Sequence, residues 1–67
     1  MSDGARTVPA TEVRPGDRIT ARAIDLTVTR IDRPFLGRDE MLAFVEDSDV
    51  QWIKVPVALD AEVVLRD

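Results

Sequence analysis

From Arg18 onward apolar and polar residues alternate with a period of two: Ile19, Ala21 and Ala23 fall between Arg18, Thr20 and Arg22. Successive side chains of extended backbone point to opposite sides, so this is the pattern of a strand with one buried face. The phase then breaks. Ile24, Leu26 and Val28 stand at even positions, which predicts a turn within residues 23–25 and a second strand beyond it. That strand, "LTVTRI", is rich in β-branched residues, and its apolar position jumps from Val28 to Ile31. A bulge, one extra residue on one strand, restores the register.

Residues 41–46 and 50–55 predict a third and a fourth strand, with "DSD" at 47–49 as a three-residue hairpin loop in which Asp49 tolerates the left-handed conformation. That loop length sets Phe44 opposite Trp52 and Ala43 opposite Ile53. Met41, Ala43, Val45, Ile53 and Val55 then share the core face, and Leu42, Phe44, Val50, Trp52 and Lys54 the other. Both faces of 41–45 are apolar, so alternation alone leaves the inward side open. Pro56 is expected to end the fourth strand because it cannot donate to the ladder. "VALD" at 57–60 suits one 3₁₀ turn. Residues 61–66 predict a last strand with Val63 and Leu65 on one side and Val64 on the other.

The remaining segments read as connections. "RPFLGRDE", 33–40, is a loop carrying Phe35 and Leu36. "ATE" before Val13 fits one 3₁₀ turn that lays Val13 over the core. "MSDGAR", 1–6, has no period and reads as a frayed tail ahead of a single domain over 7–67. In "VRPGDRI" the residues Arg14, Pro15, Gly16 and Asp17 match a type II turn: proline presets φ at the second position, and glycine accepts the positive φ demanded at the third.

Composition narrows the function classes. A chain of 67 residues holds one modest core, and with no cysteine and no histidine it lacks the usual zinc, haem and iron–sulfur ligand sets; no cofactor is expected. No apolar run reaches the length of a membrane span and the start lacks the order of a signal peptide, so a cytoplasmic protein is expected. The formal charge is −4, opposite in sign to the field that gathers nucleic acid. Arginine far outnumbers Lys54, the one lysine, a bias that high-GC codons produce.

Five short strands, a long loop before the third, a tight hairpin between the third and fourth and a 3₁₀ element before the fifth resemble the SH3-like barrel, over about residues 13–66. The likeness is carried by element order, by "PGD" before the first strand and by "VPVAL" before the last. It implies an all-β fold, a five-stranded SH3-like barrel. The aromatic groove with which SH3 domains bind proline-rich peptides is not implied, since Phe35, Phe44 and Trp52 are the only aromatic residues. From "VRPGDRI" to "WIKVPVALDAEVV" the chain also resembles small uncharacterised proteins of high-GC bacteria and their phages.

Catalysis finds little to work with. Nucleophilic chemistry needs a base beside Ser, Thr or Cys, and Ser2 lies in the tail, Ser48 at a hairpin tip. The carboxylate groups Asp39–Glu40 and Glu46, Asp47 and Asp49 read as solvated loop charges, and the second is too short a loop to wrap calcium. A non-catalytic interaction module is therefore expected. Its patch is Phe35, Phe44 and Trp52, rimmed by Arg33, Arg38 and Lys54, and it meets a protein partner or a second copy of the chain. The competing reading of the same aromatics is a second small cluster under the 33–40 loop. The alternative partner is a single-stranded nucleic acid along the outward Arg18, Arg22 and Arg30. Against it stand the acidic balance and the interleaved Asp17, Asp25, Asp32 and Asp39.

Overall fold

A computed structural model of the protein describes residues 5–66. Residues 1–4 of the expected tail lie outside this range, and Arg6 already belongs to a strand. Seven strands follow in order: β1 (Arg6–Pro9), β2 (Arg18–Ala21), β3 (Ile24–Thr27), β4 (Arg30–Asp32), β5 (Met41–Asp47), β6 (Trp52–Ala58) and β7 (Glu62–Arg66), with one 3₁₀ turn over Ala10–Glu12. All pairing is antiparallel, in a four-stranded sheet of order β1-β7-β2-β3 and a three-stranded sheet of order β4-β5-β6. The fold is all-β, with seven strands in two sheets where five strands were expected.

Local chemistry sets the first half. Gly16 takes φ +98° and the Asp17 N–H donates to the Arg14 carbonyl at 3.1 Å, as a type II turn requires. The Gly16 N–H then reaches the Val28 carbonyl, and the Val28 N–H the Asp17 carbonyl, both at 2.8 Å, so the turn is fastened to the end of β3. Val13 and Ile19 on either side of it are buried. β2 and β3 are joined by Arg22 and Ala23 alone, at φ +54° and +65°, a two-residue turn whose twist matches the strands it connects. Ala23, placed inward by alternation, is exposed in that turn.

The phase jump between Val28 and Ile31 marks the passage from one sheet to the other. The Thr29 N–H donates to the Val45 carbonyl at 2.6 Å while Arg30 is the register partner of Val45, so two residues face one, as in a bulge.

The β5–β6 hairpin departs from expectation. Phe44 stands opposite Val55, Glu46 opposite Ile53 and Asp47 opposite Trp52. The connection is 48–51: the Ser48 N–H donates to the Gln51 carbonyl at 3.0 Å, and Ser48 Oγ accepts from the Val50 and Gln51 N–H groups, each at 3.3 Å. Phe44 is thus displaced by an odd number of positions along β6, from Trp52 to Val55, and an odd shift exchanges the faces. Leu42, Phe44, Val55 and Val57 join Ile19, Leu26 and Val63 in the core, while Ala43, Val45 and Lys54 face outward.

Pro56 does not end β6, which continues to Ala58. The bonded pairs Ser48–Gln51 and Glu40–Leu59 share the β5–β6 register, and pairs alternate between bonded and non-bonded along an antiparallel ladder. Pro56 falls at a non-bonded position. Its nitrogen faces the open edge, where no N–H is missed, and its carbonyl on that side accepts from Arg22 Nη1 at 3.3 Å. The turn expected over 57–60 is displaced by one residue, closing from the Ala58 carbonyl to the Ala61 N–H at 3.0 Å.

Candidate functional site

The outer face of the three-stranded sheet carries what remains of the expected aromatic patch. Arg30, Val45 and Lys54 form one cross-strand row and Asp32, Ala43 and Pro56 the next, with Asp47 beside Trp52 at the hairpin end. Ala43 and Val45 are fully buried although they point away from the core. Their cover is the charged row: Lys54 Nζ is 3.1 Å from Asp32 Oδ2, Arg30 Nε is 3.4 Å from Asp32 Oδ1, and Arg30 Nη1 is 3.8 Å from Asp47 Oδ2. Phe35 reaches in from its loop, with Lys54 Nζ 5.0 Å from the ring centroid. The hydrogen bond from Lys54, assisted by the charges of Lys54 and Arg30, holds the Asp32 carboxyl below the usual carboxylate range.

Of the six residues expected to make the patch, Phe35, Lys54 and Trp52 belong to this face. Phe44 does not. It is 0% exposed on the other side of the sheet, so no surface contact is open to it. Arg33 is exposed, stands one residue beyond β4 and borders a small cavity of ≈110 Å³ with Ala10, Val13 and Leu42. Arg38 is spent locally: its Nη2 lies 3.0 Å from Glu40 Oε2, and Glu40's own backbone N–H together with Arg38 holds that carboxyl low. The residues that do organise the face, Arg30, Asp32 and Asp47, were not singled out from the sequence for it, although Arg30 and Asp32 on either side of Ile31 carry the alternation that marks them.

Carboxylate chemistry and the arginine track look different in three dimensions. Glu46 is a clamp between the sheets: it accepts from the Thr27 N–H at 2.9 Å, from Gln51 Nε2 at 2.9 Å and from Ser48 Oγ at 3.3 Å, and these donors hold its pKa below the usual glutamate range, the Thr27 N–H most strongly. A carboxylate so held is a poor base. Among the described residues no group of three or more potential ligands is gathered for a metal ion. Arg18 lies on the outer face of the four-stranded sheet opposite Arg66, Arg22 at the β2–β3 turn, and Arg30 on the other sheet between two aspartates. The three form no single track.

Two cavities flank the sheets. One of ≈200 Å³ is bordered by Arg18, Asp25, Thr27, Glu46, Gln51 and Arg66, and one of ≈260 Å³ by Arg22, Met41, Pro56, Val57 and Glu62 among others. No described helix is long and apolar enough to cross a membrane. Comparison with protein-family models, with curated proteins and with solved structures gives no match for this chain.

Proposed function

We propose that the protein is a non-catalytic, SH3-like β module of the cytoplasm that binds a protein partner through the Trp52 corner of its three-stranded sheet. One observation carries this: the chain's single tryptophan is 58% exposed, two residues from Val50 at 89%, on a face otherwise covered by paired charges. A large amphipathic ring left in water beside a polar surround has the make-up of an interface centre. Phe35 and Lys54 supply the adjoining shoulder. The SH3-like assignment is supported by strand order: β2, then β3 and β4 taken as one strand bent at residues 28–29, then β5, β6 and β7, which returns to pair with β2.

The test is capture of partners from native lysate by the wild-type chain and by Trp52→Ala side by side. The wild type is expected to retain a protein that the variant loses, with a blue shift of the single tryptophan's emission when that protein is added back. Identical captures overturn the proposal.

A further inference from the structure

We infer that the partner seated at Trp52 is a second copy of this chain, joined edge to edge along β6; this rests on the proposal that Trp52 is an interface residue and names what meets it. Each sheet has two edge strands, and an edge offers pairing groups only at residues whose N–H and C=O point outward. On β1 these are Thr7 and Pro9, and Pro9 has no N–H to give. On β3 they are Asp25 and Thr27, and the Thr27 N–H is taken by Glu46. On β4 only Ile31 points outward.

The β6 edge differs. Trp52, Lys54, Pro56 and Ala58 face outward, and the chain closes the far half itself: the Pro56 carbonyl accepts from Arg22 and the Ala58 carbonyl from Ala61. Among the described residues the N–H and C=O groups of Trp52 and Lys54 have no partner, and they are the one run of two consecutive outward residues left open on any edge.

Two such edges fit in one register. With Ile53 on a two-fold axis, Trp52 of one copy pairs with Lys54 of the other and the reverse, so that both residues exchange both backbone bonds. The next outward pair would be Val50 with Pro56, where the missing N–H and the bonded carbonyl end the ladder. Shifting the pairing toward the hairpin tip draws loop residue Val50 into the ladder. Shifting it the other way sets Lys54 against Lys54 and Trp52 against Pro56, combining like-charge repulsion with a lost donor. The favoured register instead lays each Trp52 ring beside the partner's Lys54, whose charge is already set between Asp32 and Phe35, so the two faces are complementary. The contact is isologous and closes on itself as a dimer.

Sedimentation velocity from micromolar to millimolar concentration reads the mass, expected to double from 7.5 kDa. Lys54→Pro removes the outward N–H at a position equivalent to that of Pro56 and leaves the β5–β6 bonds intact; it is expected to stay at the monomer mass with an unchanged far-ultraviolet circular dichroism spectrum. Lys54→Ala, which keeps the N–H, is expected to double. Independently of any variant, amide exchange at Trp52 and Lys54 should slow as concentration rises, while Asp25 and Thr7 stay fast. A wild-type chain that remains at 7.5 kDa throughout overturns the inference. If that monomer still captures a protein that Trp52→Ala loses, the interface at Trp52 stands and its occupant is a foreign strand.

Discussion

The two faces of the β5–β6 hairpin exclude water by different means. On the inner face Leu42, Phe44, Val55 and Val57 are packed by apolar side chains of the other sheet. On the outer face Ala43 and Val45 are just as inaccessible, but beneath the stems and paired heads of Arg30, Asp32 and Lys54. Zero exposure therefore does not by itself identify a core. The inner residues hold the sheets together, whereas the outer ones are roofed by groups that remain in contact with water.

Substitutions on the two faces should separate accordingly. Phe44→Ala opens a cavity at the centre of the molecule and is expected to cost about 3–5 kcal/mol, enough to leave so small a domain largely unfolded in a chemical denaturation series. Val45→Ala removes two carbons under a flexible roof that can settle, and about 1–2 kcal/mol is expected from the same experiment. The same truncation on the inner face, Val55→Ala, is expected to cost more than Val45→Ala; equal losses at Val45 and Val55 would show that the outer row packs as tightly as the core.

Acid distinguishes the faces by charge. Glu46, on the inner side, and Asp32, on the outer, both have depressed pKa values. Each contributes stability that is fully present above the ordinary carboxylate range and is lost as pH falls from about pH 4–5 downward. Glu46→Gln and Asp32→Asn should each flatten part of that decline in thermal melts taken across pH. About 1 M salt should screen the part owed to Asp32, which rests on an ion pair, and spare most of the part owed to Glu46, which rests on neutral donors. The smallest effect is expected at Trp52: diluted to the monomer, Trp52→Ala should alter stability by no more than about 0.5 kcal/mol. A larger loss would place the ring in the packing of the sheet.

The parts of this arrangement that were legible in sequence are those fixed by local chemistry. "RPGD" carries its turn in the φ preferences of Pro15 and Gly16, and "ATE" gives its 3₁₀ turn with Val13 buried after it. The β5–β6 register was not legible, because Ser48 Oγ captures two backbone N–H groups and makes the connection 48–51 where "DSD" suggested 47–49. No polar residue in 41–45 marks the outer side, so nothing in the alternation corrects the displacement, and a 47–49 loop sets Phe44 and Trp52 together although they lie on opposite faces. Of the candidate face, Trp52, Phe35 and Lys54 could be picked out as exposed-patch residues from the sequence, whereas the ion pairs Lys54–Asp32 and Arg30–Asp47 join strands distant in sequence and could not.

The β2–β3 turn has a consequence for solubility. Two-residue turns of this hand favour Asn-Gly, yet here Arg22 and Ala23 occupy left-handed conformations that L side chains adopt reluctantly. Arg22 in return covers the Pro56 carbonyl on the β6 edge. Replacing the pair by Asn-Gly should raise the melting temperature while uncovering that carbonyl, and the variant is expected to form larger aggregates on concentration than the wild type. A slightly worse hairpin thus shortens the length of the β6 edge that an incoming strand can pair with, because a covered carbonyl accepts no N–H from outside.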